Sequence, residues 1–258
     1  MAYYRFENLE QIVATPGLST GKGAVIKGRY LTLRNNNKTA GTGSELHYHP
    51  NELVVFSLVG RLNCIVGKDR RILPPGVMVH MPGKARHSIK ATEEGAVSYL
   101  YVKDNTWGLQ GFAADQALSR EALEADGDRE VDGDPAGAIV EGLGNCYYPI
   151  LDDLDAPAIS GERRVTVAGE RIVFTFLDLS AGSSEPEHPS LREKFLYVIR
   201  GGLDVVIGGE RRGTGNGDVL HVGRGESFGY VAGSEGARFV LFEPTAWLES
   251  RIDGSAAS

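Results

Sequence analysis

The stretch GTGSELHYHPNELVVFSLVGRLNCIVGKDRRILPPGVMVHMPGKARHSIKATEEGAVSYLYV, residues 41–102, sets the architecture of this chain because it returns 141 residues later. Its second copy, GSSEPEHPSLREKFLYVIRGGLDVVIGGERRGTGNGDVLHVGRGESFGYVAGSEGARFVLFE, occupies residues 182–243 with no gap in register. Gly41, Gly60, Gly67 and Gly76 fall on Gly182, Gly201, Gly208 and Gly217, and Arg70-Arg71 falls on Arg211-Arg212. His47, Glu52 and His80 fall on His188, Glu193 and His221. A self-match at one fixed period over this length marks a duplicated unit.

Within each copy the apolar runs are short, β-branched and aromatic, and Gly, Pro or charged residues separate them. That pattern predicts strands joined by tight turns. GKDRR and GGERR read as hairpin tips. No helical period is long enough for a crossover, which excludes a parallel α/β sheet. The expected class is all-β, as two tandem antiparallel barrels. The first takes residues 1–110 and the second 146–250. Residues 111–145 form an acidic linker with a short helix opening near Ser119, and 251–258 form a frayed tail.

A formal charge of −7 with scattered Lys and Arg argues against a nucleic-acid partner. No run approaches the roughly 18 apolar residues of a membrane helix. The first residues lack the basic-then-apolar pattern of a secretory signal. The two cysteines, Cys64 and Cys146, are far apart in sequence and are expected as packed, reduced thiols. The expected compartment is the cytoplasm.

His47 and His49 lie two apart, so on a strand both side chains project to one side. With His87 supplied from another strand across the lumen, three imidazoles converge. That set suits a divalent transition metal and leaves positions open for water or substrate. In the second copy His188 persists, but Ser190 and Phe228 replace the other two, and one imidazole cannot hold a metal. His80 and His221 recur in both copies and are expected as packed, hydrogen-bonded residues. Tyr48 should point away from the metal, and at least one of Tyr99 and Tyr101 inward. Trp107 either lids the pocket or pins the strand to the linker.

Gly41, His47, His49, Glu52 and Gly60, followed by Gly76, Pro82 and His87, resemble the two motifs of the cupin superfamily in order and spacing. The resemblance covers nearly all of each copy and implies two cupin (double-stranded β-helix, jelly-roll-like) barrels, the first holding metal and the second degenerate. It also implies an acidic or amide fourth ligand seven residues before the closing glycine, a place occupied here by Leu53. Glu52 is one residue off. Either a bulge turns it inward as a ligand or proton carrier, or it is structural, as its recurrence at Glu193 in the metal-free copy suggests. Arg86 and Lys84, beside His87, are candidates to clamp an anionic substrate or are solvated loop charges.

A three-histidine site without a carboxylate resembles the gentisate- and hydroxynaphthoate-type ring-cleaving dioxygenases, which are also two-barrel proteins with Fe(II) in the N-terminal barrel. That resemblance implies an Fe(II) dioxygenase on a small anionic substrate, with catalytic roles for Glu52 and Arg86. The chain is shorter than those enzymes, and Val55 stands where they carry an arginine. The size and FLYVIRG also resemble two-barrel ureidoglycine aminohydrolases, which use manganese in the C-terminal barrel. A Mn-, Zn- or Ni-dependent hydrolase, isomerase or lyase, or a non-catalytic binding module, are the other readings. Exposed sheet edges favour a homodimer.

Overall fold

In the first copy the runs LVVFSLV, VMVHM and VSYLYVKD become the strands Leu53–Val59, Val77–Met81 and Val97–Asp104, with most of their apolar side chains buried and Val59 exposed at the end of its strand. The structure, a computed structural model, describes residues 2–13, 15–108, 111–116, 137–157 and 160–254. The linker helix expected near Ser119 falls outside them.

The first barrel has two sheets. The larger runs Tyr147–Pro149, Val77–Met81, Leu53–Val59, Val97–Asp104, Leu31–Lys38, and then Lys22–Gly23 and Ile12–Val13. The smaller runs Phe112–Ala113, His47–Tyr48, His87–Ala91, Leu62–Val66, Asp69–Leu73. All pairings are antiparallel. In the second barrel two long strands, Lys194–Ile207 and Ser227–Pro244, change register at Val198/Arg200 and Gly201/Leu203 and thereby bend around the core. No helix among the described residues is long and apolar enough to cross a membrane.

The segments ahead of the two copies exchange places. Tyr3–Arg5 pairs with Asp218–Leu220 of the second barrel, and Tyr147–Pro149 pairs with Val77–Val79 of the first. A division at 1–110 and 146–250 therefore cuts through hydrogen-bonded sheets. Residues 251–254, read as the start of a frayed tail, instead complete the helix Ala246–Gly254, whose Leu248 and Ile252 are buried in the shared core.

The barrels pack sheet against sheet. One continuous apolar cluster joins Leu31, Val54, Phe56 and Val102 to Phe174, Phe176, Phe195 and Phe242, with the Phe56 and Phe174 rings 5.5 Å apart. Two buried carboxylates clasp this interface reciprocally. Glu52 accepts the N–H groups of Glu170, Arg171 and Ile172 at 2.9, 3.2 and 2.9 Å. Glu193 accepts those of Arg29, Tyr30 and Leu31 at 2.6, 2.9 and 3.0 Å. His80 stands 3.5 Å from Glu52 and His221 3.0 Å from Glu193. Every partner in one clasp is 141 residues from its counterpart.

Each carboxylate approaches over a glycine. A Cβ on Gly28 would lie 2.3 Å from a Glu193 oxygen, and one on Gly169 would lie 2.1 Å from a Glu52 oxygen. Gly169→Ala is accordingly expected to cost about 1–3 kcal/mol by overpacking. Urea unfolding checks it, and an unchanged midpoint would contradict the clasp.

Candidate metal centre

His47 and His87 face each other as a register pair between neighbouring antiparallel strands, and His49 follows one residue beyond the His47–Tyr48 strand. The third ring thus comes from the adjacent strand of the same sheet, not from across the lumen. One ligand nitrogen from each of the three rings lies within 4.8 Å of the others, and all three residues are buried. Ring centroids are 4.3 Å apart for His47–His87, 5.0 Å for His47–His49 and 5.4 Å for His49–His87.

Tautomers are set by the backbone. His47 Nδ1 lies 2.7 Å from the Glu45 carbonyl and His87 Nδ1 2.8 Å from the Ala85 carbonyl. A carbonyl can only accept, so Nδ1 carries the proton and donates it, which leaves each Nε2 lone pair free for a metal. Burial pushes the His47 pKa down to about 4 and that of His87 well below its ordinary value, so both rings are neutral near pH 7. Neutral rings with preset tautomers are what a divalent metal requires of this donor set.

Metal-stripped protein is expected to gain stability from these rings as pH rises from 4 to 6.5. Across that window the unfolded imidazole binds a proton that His47 in the fold refuses. The slope is about 1.4 kcal/mol per pH unit for each such ring, vanishing above the unfolded pKa. Denaturant midpoints of the wild type minus those of His47→Gln isolate the effect, and a difference that does not change with pH would contradict it.

Above the histidines is a cavity of about 30 Å³, room for about two water molecules. Its other wall belongs to the larger sheet, where Arg34, Asn36 and Lys38 alternate along Leu31–Lys38 beside Tyr99 and Tyr101. Arg34 donates through Nη2 to the Ile12 and Gly21 carbonyls at 2.6 and 3.1 Å. Its buried Nε and the buried Asn36 Oδ1 have no partner among the described residues. Asn36 donates to the Tyr99 hydroxyl at 2.7 Å, and Lys38 to the Ile89 carbonyl at 2.5 Å. Burial pushes the Lys38 pKa down to about 7. No Asp or Glu lines the cavity among the described residues, so neither Arg34 nor Lys38 meets a lining carboxylate.

Glu52 is absent from the histidine cluster. Its carboxylate is used up in the inter-barrel clasp, which corrects its candidacy as ligand or proton carrier. Arg86 does not line the cavity either; it donates to the Gly67 carbonyl at 2.8 Å. Lys84, in a left-handed turn at φ 65°, is likewise no part of the lining. Tyr48 points away, packing on Phe112 at 5.7 Å and donating to the Gln116 carbonyl. Trp107 is buried 6.0 Å from Phe112, so it pins this segment and does not lid the pocket. Cys64 and Cys146 are free, buried thiols, and burial pushes Cys64 up to about 12.

Arg34, Asn36 and Lys38 were not found by sequence reading. Their strand precedes the self-matching segment, and a polar residue at every second position looks like a solvent-facing strand.

Residues 38–103 match the family described as Cupin domain. No curated protein sequence matches the chain. Among solved structures, oxalate decarboxylase from Bacillus subtilis at pH 4.6 aligns at TM-score 0.65 and 17% identity, over 94% of this chain and 76% of that one. Oxalate decarboxylase in a structure addressing its substrate binding mode aligns at TM-score 0.66 and 17% identity, over 94% and 77%. The B. subtilis enzyme studied for its Mn(II) centres aligns at TM-score 0.65 and 16% identity, again over 94% and 77%. At such identities the likeness is one of fold, which is that of a two-barrel cupin. The cupin resemblance thus has support, whereas nothing in these matches is specific to the gentisate- and hydroxynaphthoate-type enzymes.

Proposed function

We propose that the first barrel is the active site of a metal-dependent enzyme acting on a small carboxylate. His47, His49 and His87 would hold one divalent transition metal, and Arg34 and Lys38 would take the carboxylate. The observation that carries this reading is the convergence of three buried imidazoles with the Arg34 and Lys38 side chains on one cavity that no acid lines among the described residues. A bound ion would supply Lewis-acid polarisation of the substrate and, if redox-active, electron transfer to dioxygen. The chain itself supplies orientation. Arg34, braced by two carbonyls, and Asn36, braced by Tyr99, would meet the substrate without needing to reorganise.

Cavity size selects among reactions. A cavity of about 30 Å³ favours a small carboxylate over a gentisate or hydroxynaphthoate ring. An all-imidazole donor set leaves Fe(II) its full positive charge, which favours oxidative cleavage of such an anion. The second reading is a manganese-dependent lyase releasing carbon dioxide. Its support is the fold shared with oxalate decarboxylase and the small cavity.

The test is anaerobic loading with Fe(II) or Mn(II), followed by oxygen uptake and carbon dioxide release on two- to four-carbon carboxylates. Oxygen consumed with Fe(II) supports the first reading, and carbon dioxide without oxygen uptake supports the second. Neither, with metal bound, would sink both. In the active form Lys38→Met is expected to raise KM about 10- to 100-fold, the loss of one charged hydrogen bond, with metal content unchanged. An unaltered KM would remove Lys38 from substrate binding.

A further inference from the structure

The second barrel contains a larger cavity, of about 270 Å³, in the place equivalent to the metal centre. Three polar positions of the first site have become apolar there, while His47, His49 and Arg34 correspond to the polar His188, Ser190 and Thr175. His87 corresponds to Phe228, Asn36 to Leu177 and Lys38 to Leu179 by the 141-residue shift. Cross-strand register identifies the rest: Tyr99 pairs with Asn36 as Phe239 pairs with Leu177, and Tyr101 pairs with Arg34 as Leu241 pairs with Thr175. Phe228, Leu177, Leu179, Phe239 and Leu241 all line the cavity.

The charges around it are already paired with one another. Arg164 holds Glu162 at 3.2 Å, Lys194 holds Glu243 at 3.1 Å, and Glu185 stands 3.4 Å from His188. No side chain lining this cavity has an orphaned buried polar atom among the described residues, whereas Arg34 and Asn36 in the first cavity do. A charged ligand would therefore find only charges already paired, while Leu177, Leu179, Phe228, Phe239 and Leu241 offer an apolar wall within a mixed polar and apolar cavity able to hold more than a benzene ring. We propose that the second barrel is a metal-free receptor for one small uncharged aromatic molecule, of about naphthalene size.

Ser184 lines the cavity from an exposed position and Ser183 from a half-buried one. Titration of the full chain with the uncharged fluorophore N-phenyl-1-naphthylamine tests the proposal. The expected result is one saturable site with a blue-shifted emission, displaced by naphthalene and indifferent to chelator and to His87→Ala. Ser184→Trp, which intrudes on the cavity from an exposed position, should weaken binding roughly tenfold or more. Ser183→Trp is the second variant should the first not fold. Absence of saturable binding would overturn the proposal, as would binding abolished by His87→Ala or unaffected by both tryptophans.

Discussion

Replacing His87 by alanine is expected to abolish tight metal binding and, with it, turnover. His87 is fully enclosed, pairs with His47 across the ladder, and presents a lone pair whose tautomer is set by the Ala85 carbonyl. Its loss leaves two imidazoles and an enlarged void that water can fill. Loss of an outer hydrogen-bond partner already costs roughly 10- to 100-fold in metal affinity, so removal of a ligand should exceed that. Competition titration against a chromophoric chelator reads the affinity, and circular dichroism confirms that the barrel persists. An affinity within tenfold of the wild type would show that the metal is not held here.

Replacing Glu52 by alanine is expected to do the opposite: leave metal affinity intact and strip stability. Three backbone N–H groups of the second barrel end on this one carboxylate, at 2.9–3.2 Å. Orphaning them in a buried interface should cost about 3–5 kcal/mol, or roughly 10 °C in melting temperature. Glu52→Gln should recover only part, because its amide nitrogen is a donor facing donors. Glu193→Ala should behave alike, given its matching contacts with Arg29, Tyr30 and Leu31. A Glu52→Ala protein of normal stability that no longer binds metal would reverse the assignment and restore Glu52 as a ligand.

The duplication, the strand character and the three histidines were legible because each depends on local spacing. Period two puts His47 and His49 on one side, and glycines mark the turns. The recurrence of Glu52 as Glu193 also pointed to a structural role, since the second copy lacks the metal set. What could not be read depends on partners far away in sequence. Glu52 reaches residues 170–172, the Tyr3–Arg5 strand crosses to the other barrel, and Arg34 and Lys38 face histidines from the opposite sheet. Proximity in sequence misled at Arg86, which adjoins His87 along the chain yet turns to the Gly67 carbonyl. Alternation in LTLRNNNK does not say which face is buried, and here the polar face looks into a small cavity and not into solvent.

The most direct measurement is elemental analysis of untagged protein, purified without chelators and quantified per chain. One divalent transition metal per chain, absent from a variant lacking His47, His49 and His87 together, is the predicted result. No metal, or a metal retained in that variant, would contradict the three-histidine centre.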